Sequence, residues 1–183
     1  MIQKITLFIL CLCISGIALA QDFNDGGLNY NINPNGTTAT VIGKFDTTVT
    51  DVIIPSTASD GTTTYDVTSI FDNAFFFNNL TSVTIGNNVT SIGNSAFRDN
   101  LLTSVSIGNS VTSIGELAFG FANPRAANTG EHSVTFLGMT PPTIATTSFV
   151  KGFDTPNRND ITVTVPCGSL DAYTDDSNYT VFF

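Results

Sequence analysis

The chain has 183 residues, of which 42% are hydrophobic, and it carries 15 acidic against 6 basic groups, for a formal net charge of −9. This length suits a single domain with its own packed core. So few basic groups exclude the positive patches that binding to nucleic acid or to an anionic membrane requires.

The first 20 residues have the features of a secretory signal peptide. Lys4 gives a positive start, residues 5–17 form an apolar core, and Ala18-Leu19-Ala20 is a small-x-small cleavage site. We therefore expect an exported chain, secreted or at the cell surface, that begins near Gln21. No later apolar run is long enough to cross a bilayer. Cys167 is then the one remaining cysteine, so an intrachain disulfide is excluded.

Residues 21–48 are predicted to form an N-terminal hairpin that caps the domain. Leu28 to Ile32 alternates apolar and polar side chains, and Asn33-Pro34-Asn35-Gly36 is a strong turn motif before a β-prone segment. Coils are then predicted over residues 49–150. The polar stretch 55–64 is interpreted as an insertion into the first of them.

Three segments repeat almost the same sequence at an interval of 22 residues. Val67-Thr68-Ser69-Ile70 returns at 89 and at 111, and the pair Ala74-Phe75 returns at 96 and at 118. The segment Leu80-Thr81-Ser82-Val83 returns at 102. A period in the low twenties predicts a solenoid, in which each coil buries its apolar side against its neighbours.

The position of a residue in the repeat predicts where its side chain points. In the strand after Leu80, Val83 and Ile85 are expected to face inward while Ser82 and Thr84 face solvent. A short helical turn should then bury the Ala-Phe pair of each coil. Stacked coils would align the phenylalanines at 75, 97 and 119 into an aromatic spine.

The period slips after Phe119. Residues 121–133 are predicted as a second insertion, and residues 151–183 as an insertion loop (151–160), a final strand (161–165) and a C-terminal cap. Within this cap, Ser169 is expected to cap a short helix. Cys167 is expected to be a partly buried thiol at a turn.

The pattern Leu-Thr-Ser-Val-x-Ile-Gly-Asn-x-Val-Thr-Ser-Ile-Gly-x-x-Ala-Phe resembles the BspA-type (treponemal-type) leucine-rich repeat of exported bacterial proteins. Residues 25–32 and 163–173 are similar to the edges of that family's domains. The resemblance implies a mainly β, right-handed solenoid of about four to five 22-residue coils with short helical turns. It also implies one strand per coil, in a parallel sheet on the concave face, and a role in adhesion or protein binding. It transfers no catalytic residues.

The residues offer little material for catalysis. His132 is the one histidine, and the glutamates, Glu116 and Glu131, do not form a pair of the kind a glycosidase needs. No metal-binding or phosphate-binding motif occurs. We therefore expect a protein that is not an enzyme, with no cofactor and no metal site.

The predicted binding surface is the concave strand face, with Ser82, Thr84, Ser104 and Ser106 as contact residues. The insertions 121–133 and 151–160 would border it. The expected partner is an extracellular protein or a cell-surface ligand, which includes glycans. The sequence leaves the oligomeric state open.

Three alternatives to protein adhesion remain. A glycan-binding module would use exposed aromatic rings, for which Tyr30, Phe121 and Tyr173 are the candidates, although capping or core roles suit them better. A purely structural module of a surface complex would have a fixed neighbour and no soluble ligand. Ice binding through the column Thr68, Thr90 and Thr112 is an outlying third possibility.

Overall fold

The computed structural model describes residues 22–120, 132–144 and 161–175. The strands β1 to β13 are Asp22–Asp25, Leu28–Ile32, Thr38–Lys44, Asp51–Ile54, Thr57–Ser59, Thr64–Ile70, Ser82–Ile85, Ser91–Ile92, Ser104–Ile107, Ser113–Ile114, His132–Phe136, Thr143–Ile144 and Ile161–Thr164. In the described part of the chain, the helical element is α1, Leu170–Asp175. None of the helices there is long and apolar enough to span a membrane.

The coils stack so that each contributes to two sheets. The five-stranded sheet has the order β13-β11-β9-β7-β4, and its neighbouring strands are parallel. The eight-stranded sheet has the order β1-β2-β3-β6-β8-β10-β12, with β5 beside β6, and is parallel from β3 to β12. The prediction of a mainly β solenoid with a parallel sheet is confirmed.

The expectation of one strand per coil is wrong. The repeated Val-Thr-Ser-Ile segments form a second row of strands, of which β8 and β10 are only two residues long. Such short strands leave no apolar–polar alternation that could be recognised in the sequence. The predicted insertion 55–64 also contains structure, because β5 pairs with β6 in an antiparallel hairpin.

The core lies between the two sheets and includes Val83 and Ile85, which were predicted to face inward. Leu80, Val83 and Ile85 are at most 1% exposed, and Val89 and Ile92 are at most 2% exposed. The three rings of the predicted spine are also stacked. The centroids of Phe75 and Phe97 are 5.0 Å apart and those of Phe97 and Phe119 are 5.3 Å apart, with interplanar angles of 2° and 5°.

Asparagine and aspartate side chains join successive coils along their turns. The Asp72 carboxylate accepts a hydrogen bond from the Asn94 backbone N–H at 2.7 Å, and the Asn94 side-chain oxygen accepts one from the Glu116 N–H at 2.8 Å. The Asn87 side-chain oxygen accepts the N–H of Asn109 in the same way at 3.2 Å. These side chains therefore bond to the next coil as well as favouring turns.

The close approach of the coils explains one row of glycines. A Cβ atom on Gly115 would lie 2.7 Å from the backbone nitrogen of Asn94 and 2.8 Å from the carbonyl carbon of Gly93. These distances are too short for any side chain. The repeated glycine after Ile92 and Ile114 is therefore a packing requirement of the stack.

The N-terminal end of the stack is covered by antiparallel strands. β2 and β3 pair as a hairpin across the Asn33–Gly36 turn, and β1 pairs with β2 on its other side. Leu28 and Tyr30 of β2 are 4% and 0% exposed. The hairpin therefore closes the core at this end, with no further coil.

At the C-terminal end, β11 begins at His132, so the predicted insertion 121–133 extends two residues too far; residues 121–131 lie outside the described part. The predicted final strand is present as β13. Ser169 precedes α1, but its hydroxyl donates to the Pro166 carbonyl at 2.8 Å instead of capping the helix. Cys167 is exposed, not partly buried, because its turn lies outside the coil stack.

Candidate functional site

The outer side of the five-stranded sheet carries the predicted binding residues. Along each strand, alternate side chains point inward and outward, so each strand presents two residues to solvent. The first outward row is Asp51, Ser82, Ser104, Ser133 and Thr162. The second row is Ile53, Thr84, Ser106, Thr135 and Thr164. We call these ten side chains the hydroxyl face, because eight of them are serine or threonine.

The structure brings all four predicted contact residues together at the centre of this face. Ser82 pairs with Ser104, and Thr84 pairs with Ser106, on neighbouring strands about 4.8 Å apart. Thr84 and Ser104 are exposed, while Ser82 and Ser106 are partly buried. The neighbouring hydroxyls thus lie close enough to contact a single ligand.

The structure also extends the face beyond the predicted residues. Ser133 and Thr135 of β11 and Thr162 and Thr164 of β13 continue both rows. The sequence did not predict these four residues as part of the face because the 22-residue period ends after Phe119. The signal that could have identified them is the polar-Val-polar triplet, which recurs around Val134 and Val163 as it does around Val83 and Val105.

Asp51, at the edge of the hydroxyl face, carries the one charge among its ten side chains. Its carboxylate accepts hydrogen bonds from the Ser82 hydroxyl at 2.7 Å and the Thr81 hydroxyl at 2.9 Å. These bonds hold the pKa of the Asp51 carboxyl below its usual range. Asp51 therefore remains ionised at neutral pH and orients the Ser82 hydroxyl toward the edge strand.

The other seven hydroxyls of the face are available to a ligand. Among the described residues, none of them makes a side-chain hydrogen bond within the protein. No group of three or more His, Cys, Asp and Glu side chains converges in the described part of the chain. What this face can do chemically is to donate and accept hydrogen bonds and to contact apolar groups through the threonine methyls.

The threonine column considered for ice binding has a different role. The Thr90 hydroxyl donates to the Thr68 carbonyl at 3.0 Å, and the Thr112 hydroxyl donates to the Thr90 carbonyl at 3.1 Å. The Thr90 and Thr112 hydroxyls are thus each engaged with the preceding coil. These two hydroxyls therefore help to stabilise the stack.

The aromatic candidates for sugar stacking are buried. Tyr30 and Tyr173 are both 0% exposed, so their expected core roles are confirmed, while Phe121 lies outside the described residues. The Tyr173 hydroxyl donates to the Gly138 carbonyl at 2.9 Å, and burial raises its pKa to about 12. Burial and the charge of Asp25 also raise the pKa of Tyr30.

Different rings are exposed instead, on the turn that follows β6. Phe71 is 59% exposed, Phe76 is 43% exposed and Phe77 is 70% exposed. Of the three consecutive phenylalanines 75–77, the first is therefore buried in the spine and the other two are exposed. The Arg98 guanidinium lies 5.9 Å from the centroid of the Phe76 ring, a cation–π distance.

Comparisons with known proteins agree with this architecture. The family model of the BspA type leucine rich repeat region matches residues 48–136, in six copies. Comparison with curated protein sequences gives no significant match. The structure is similar to that of a leucine-rich repeat protein from Bacteroides capillosus ATCC 29799, with 27% identity and a TM-score of 0.59, over 79% of this chain and 98% of that one.

A second solved structure shares the fold. It is a leucine rich cell surface protein from Faecalibacterium prausnitzii A2-165, with 24% identity and a TM-score of 0.57 over 80% of this chain. The match covers 43% of that protein, so this chain spans less than half of its length. The repeated sequence, the stacked coils and the family match agree, and the repeat region of this chain, residues 48–136, belongs to the BspA type of leucine-rich repeat.

Proposed function

We propose that this chain is an exported, non-catalytic binding protein that contacts an extracellular protein or another cell-surface ligand through its hydroxyl face. The observation that carries the proposal is the continuity of this face. Five strands in register present eight serine or threonine side chains among ten outward positions. The signal-peptide pattern of residues 1–20 supports export.

The size of the face indicates how a partner would use it. Five strands, with four residues of each in the common register, cover roughly 20 Å by 13 Å, or about 250 Å². Each partner in a standard protein–protein interface buries about 800 Å². A protein partner would therefore also contact surface beyond this face, for which we propose the insertions 121–131 and 151–160.

The first experiment identifies the class of partner. Residues 21–183 would be immobilised and exposed to surface extracts, extracellular-matrix proteins and polysaccharides, beside a variant with Ser104→Lys and Ser106→Lys. We expect the native chain to retain a protein that the variant loses, because two added ammonium groups in the middle of the face must be desolvated on contact. Equal retention by the native chain and the variant would contradict the proposed site.

The exposed rings of Phe71, Phe76 and Phe77 favour a glycan-binding module as the second candidate. Rings in this position can stack on the apolar faces of sugars, and Arg98 beside Phe76 adds hydrogen-bond donors. In this case the retained material would be a polysaccharide, and free sugar would release it. Phe76→Ala and Phe77→Ala should weaken its binding, while Ser104→Lys and Ser106→Lys should not.

A further inference from the structure

The five-stranded sheet ends at β4, whose outer edge is unpaired. The Thr50 carbonyl accepts the Thr81 N–H at 2.7 Å and the Ile54 carbonyl accepts the Gly86 N–H at 2.8 Å, so these groups point toward β7. Backbone groups alternate in direction along a strand, and those of Asp51 and Ile53 therefore point away from β7. Among the described residues, none forms a hydrogen bond with these outward backbone groups. Two donors and two acceptors are thus free along this edge.

The side chains along this edge are mainly apolar and acidic. One basic group also lies there, because the Lys44 ammonium donates to the Val49 carbonyl just before the strand and interacts with Asp46. Ile53 is 71% exposed in a row that otherwise consists of hydroxyl side chains, and Val49, just before the strand, is 39% exposed. Asp51 begins the strand, and Asp46 lies in the exposed loop that leads to it. Hydrogen bonds lower the pKa of both carboxyl groups, which therefore stay ionised at neutral pH. Proteins protect edge strands with lysine, proline, a bulge, other charged side chains or very short strands. β4 has no lysine, proline or bulge, and its four residues include the charged Asp51.

The N-terminal hairpin determines what can fit beside β4. In the eight-stranded sheet, β2 and β1 occupy the positions that follow β3, whereas the five-stranded sheet stops at β4 of the same coil. A complete coil of a second copy would need the position beside β3 that β2 already fills. A single extended strand needs only the position beside β4. The step between the two sheets therefore admits a strand and excludes a coil.

We propose that the free edge of β4 binds an extended segment of another protein as an additional parallel strand, with a basic residue opposite Asp51 and a β-branched apolar residue opposite Ile53. The backbone groups of Asp51 and Ile53 supply hydrogen bonds, as in other cases of strand addition. The Asp51 carboxylate attracts the basic residue, and Ile53 covers the apolar one. This surface is distinct from the centre of the hydroxyl face.

The probe is a fluorescent synthetic peptide with the sequence STKVIVTS, in which the lysine would lie opposite Asp51 and the isoleucine opposite Ile53. We expect saturable binding to residues 21–183, measured by fluorescence anisotropy. The control peptide STEVIVTS keeps the β propensity and reverses the charge of the third residue. Its affinity should be at least about tenfold lower. In the free protein, the amides of Asp51 and Ile53 should exchange with solvent faster than those of Val52 and Ile54, and the peptide should slow them.

The matched protein variant is Ile53→Pro. Proline at this position removes an edge donor but no bond to β7, so the fold should persist and peptide affinity should fall about tenfold. Ile53→Thr, which keeps the amide, should retain more binding. Ser104→Lys with Ser106→Lys should leave peptide binding unchanged, which separates this proposal from the proposed function.

Three outcomes would overturn the proposal. They are the absence of saturable peptide binding, binding that Ile53→Pro leaves intact, and slow exchange of the Asp51 and Ile53 amides in the free protein. If that slow exchange depends on protein concentration, a second copy of this chain covers the edge of β4. A strand of another protein is then excluded as the occupant of this edge.

Discussion

Asn100 shows how one buried side chain can hold two coils together. It is 2% exposed, and its side-chain oxygen accepts the backbone N–H groups of Asn78 at 3.1 Å and Leu80 at 2.9 Å. Its side-chain nitrogen donates to the carbonyls of Phe75 and Phe97, both at 2.8 Å. The amide thus satisfies four backbone groups in a turn where no regular ladder reaches them.

Replacing Asn100 with alanine should destabilise the fold by roughly 3–5 kcal/mol, because several buried backbone groups lose their partners at once. Chemical denaturation followed by circular dichroism measures this difference. The control is Asn78→Ala, at the same repeat position one coil earlier. Asn78 is only partly buried and its side chain donates to one carbonyl, that of Phe76. Its loss should cost about 1 kcal/mol, and equal effects of the two substitutions would contradict this role of Asn100.

The sequence alone could not distinguish these two asparagines. Both precede the strand segments at the same position of the 22-residue repeat, and asparagine in a turn is ordinarily explained by its backbone preferences. The difference arises because Asn100 lies under the neighbouring turn, whereas Asn78 lies nearer the end of the stack. The exposure of Phe76 and Phe77 has the same origin. For single residues, the sequence predicts which residue type recurs and at what interval. It does not predict in which coil that residue is buried by its neighbours.

Among the structural elements, the stacked phenylalanines connect the turns of three coils. Phe97 is the central ring and contacts Phe75 on one side and Phe119 on the other. It is 1% exposed, so its truncation would leave a cavity that the stacked turns cannot fill.

Phe97→Ala should therefore lower the free energy of unfolding by about 3–5 kcal/mol. Phe77→Ala is the matched control, because this ring is 70% exposed, and its removal should change stability by less than about 0.5 kcal/mol. Thermal unfolding of both variants measures the effect. A small loss for Phe97→Ala would mean that the spine does not hold the coils together.

Some of the strands could be predicted from the sequence and others could not. β7 and β9 were predicted because four residues of alternating polarity follow the same leucine in both coils. β8 and β10 were not predicted, since a strand of two residues is too short to show a periodic pattern. They form strands because they pair with the neighbouring coils. The outer strands of the hydroxyl face, β11 and β13, belong to coils in which insertions hide the repeat. Their pairing depends on the tertiary structure and cannot be predicted from the spacing of residues in the sequence.

For the whole molecule, stacking produces one continuous side of hydroxyl groups and two unlike ends. The five-stranded sheet presents seven hydroxyls on one side of the solenoid that have no side-chain hydrogen bond within the described part of the chain, with Asp51 at its edge. At one end the hairpin closes the core but leaves the edge of β4 free, and at the other α1 covers the core through Tyr173. The repeat predicted the solenoid and the centre of this face, whereas the shapes of the ends required the structure.

If the hydroxyl face is the binding surface, as proposed, the affinity for the partner must depend on it. The partner retained by residues 21–183 would be titrated against three proteins by biolayer interferometry. These are the native chain, the variant with Ser104→Lys and Ser106→Lys, and a control with Ser91→Lys and Ser113→Lys. The control adds the same charge to the other sheet, on β8 and β10.

We expect the first variant to lose at least about tenfold in affinity, since charged groups buried without partners weaken an interface, while the control binds like the native chain. Both variants should unfold at the same temperature as the native chain, because all four serines lie on the outer sides of their strands. Native affinity in the Ser104→Lys, Ser106→Lys variant, or an equal loss in the control, would contradict the claim.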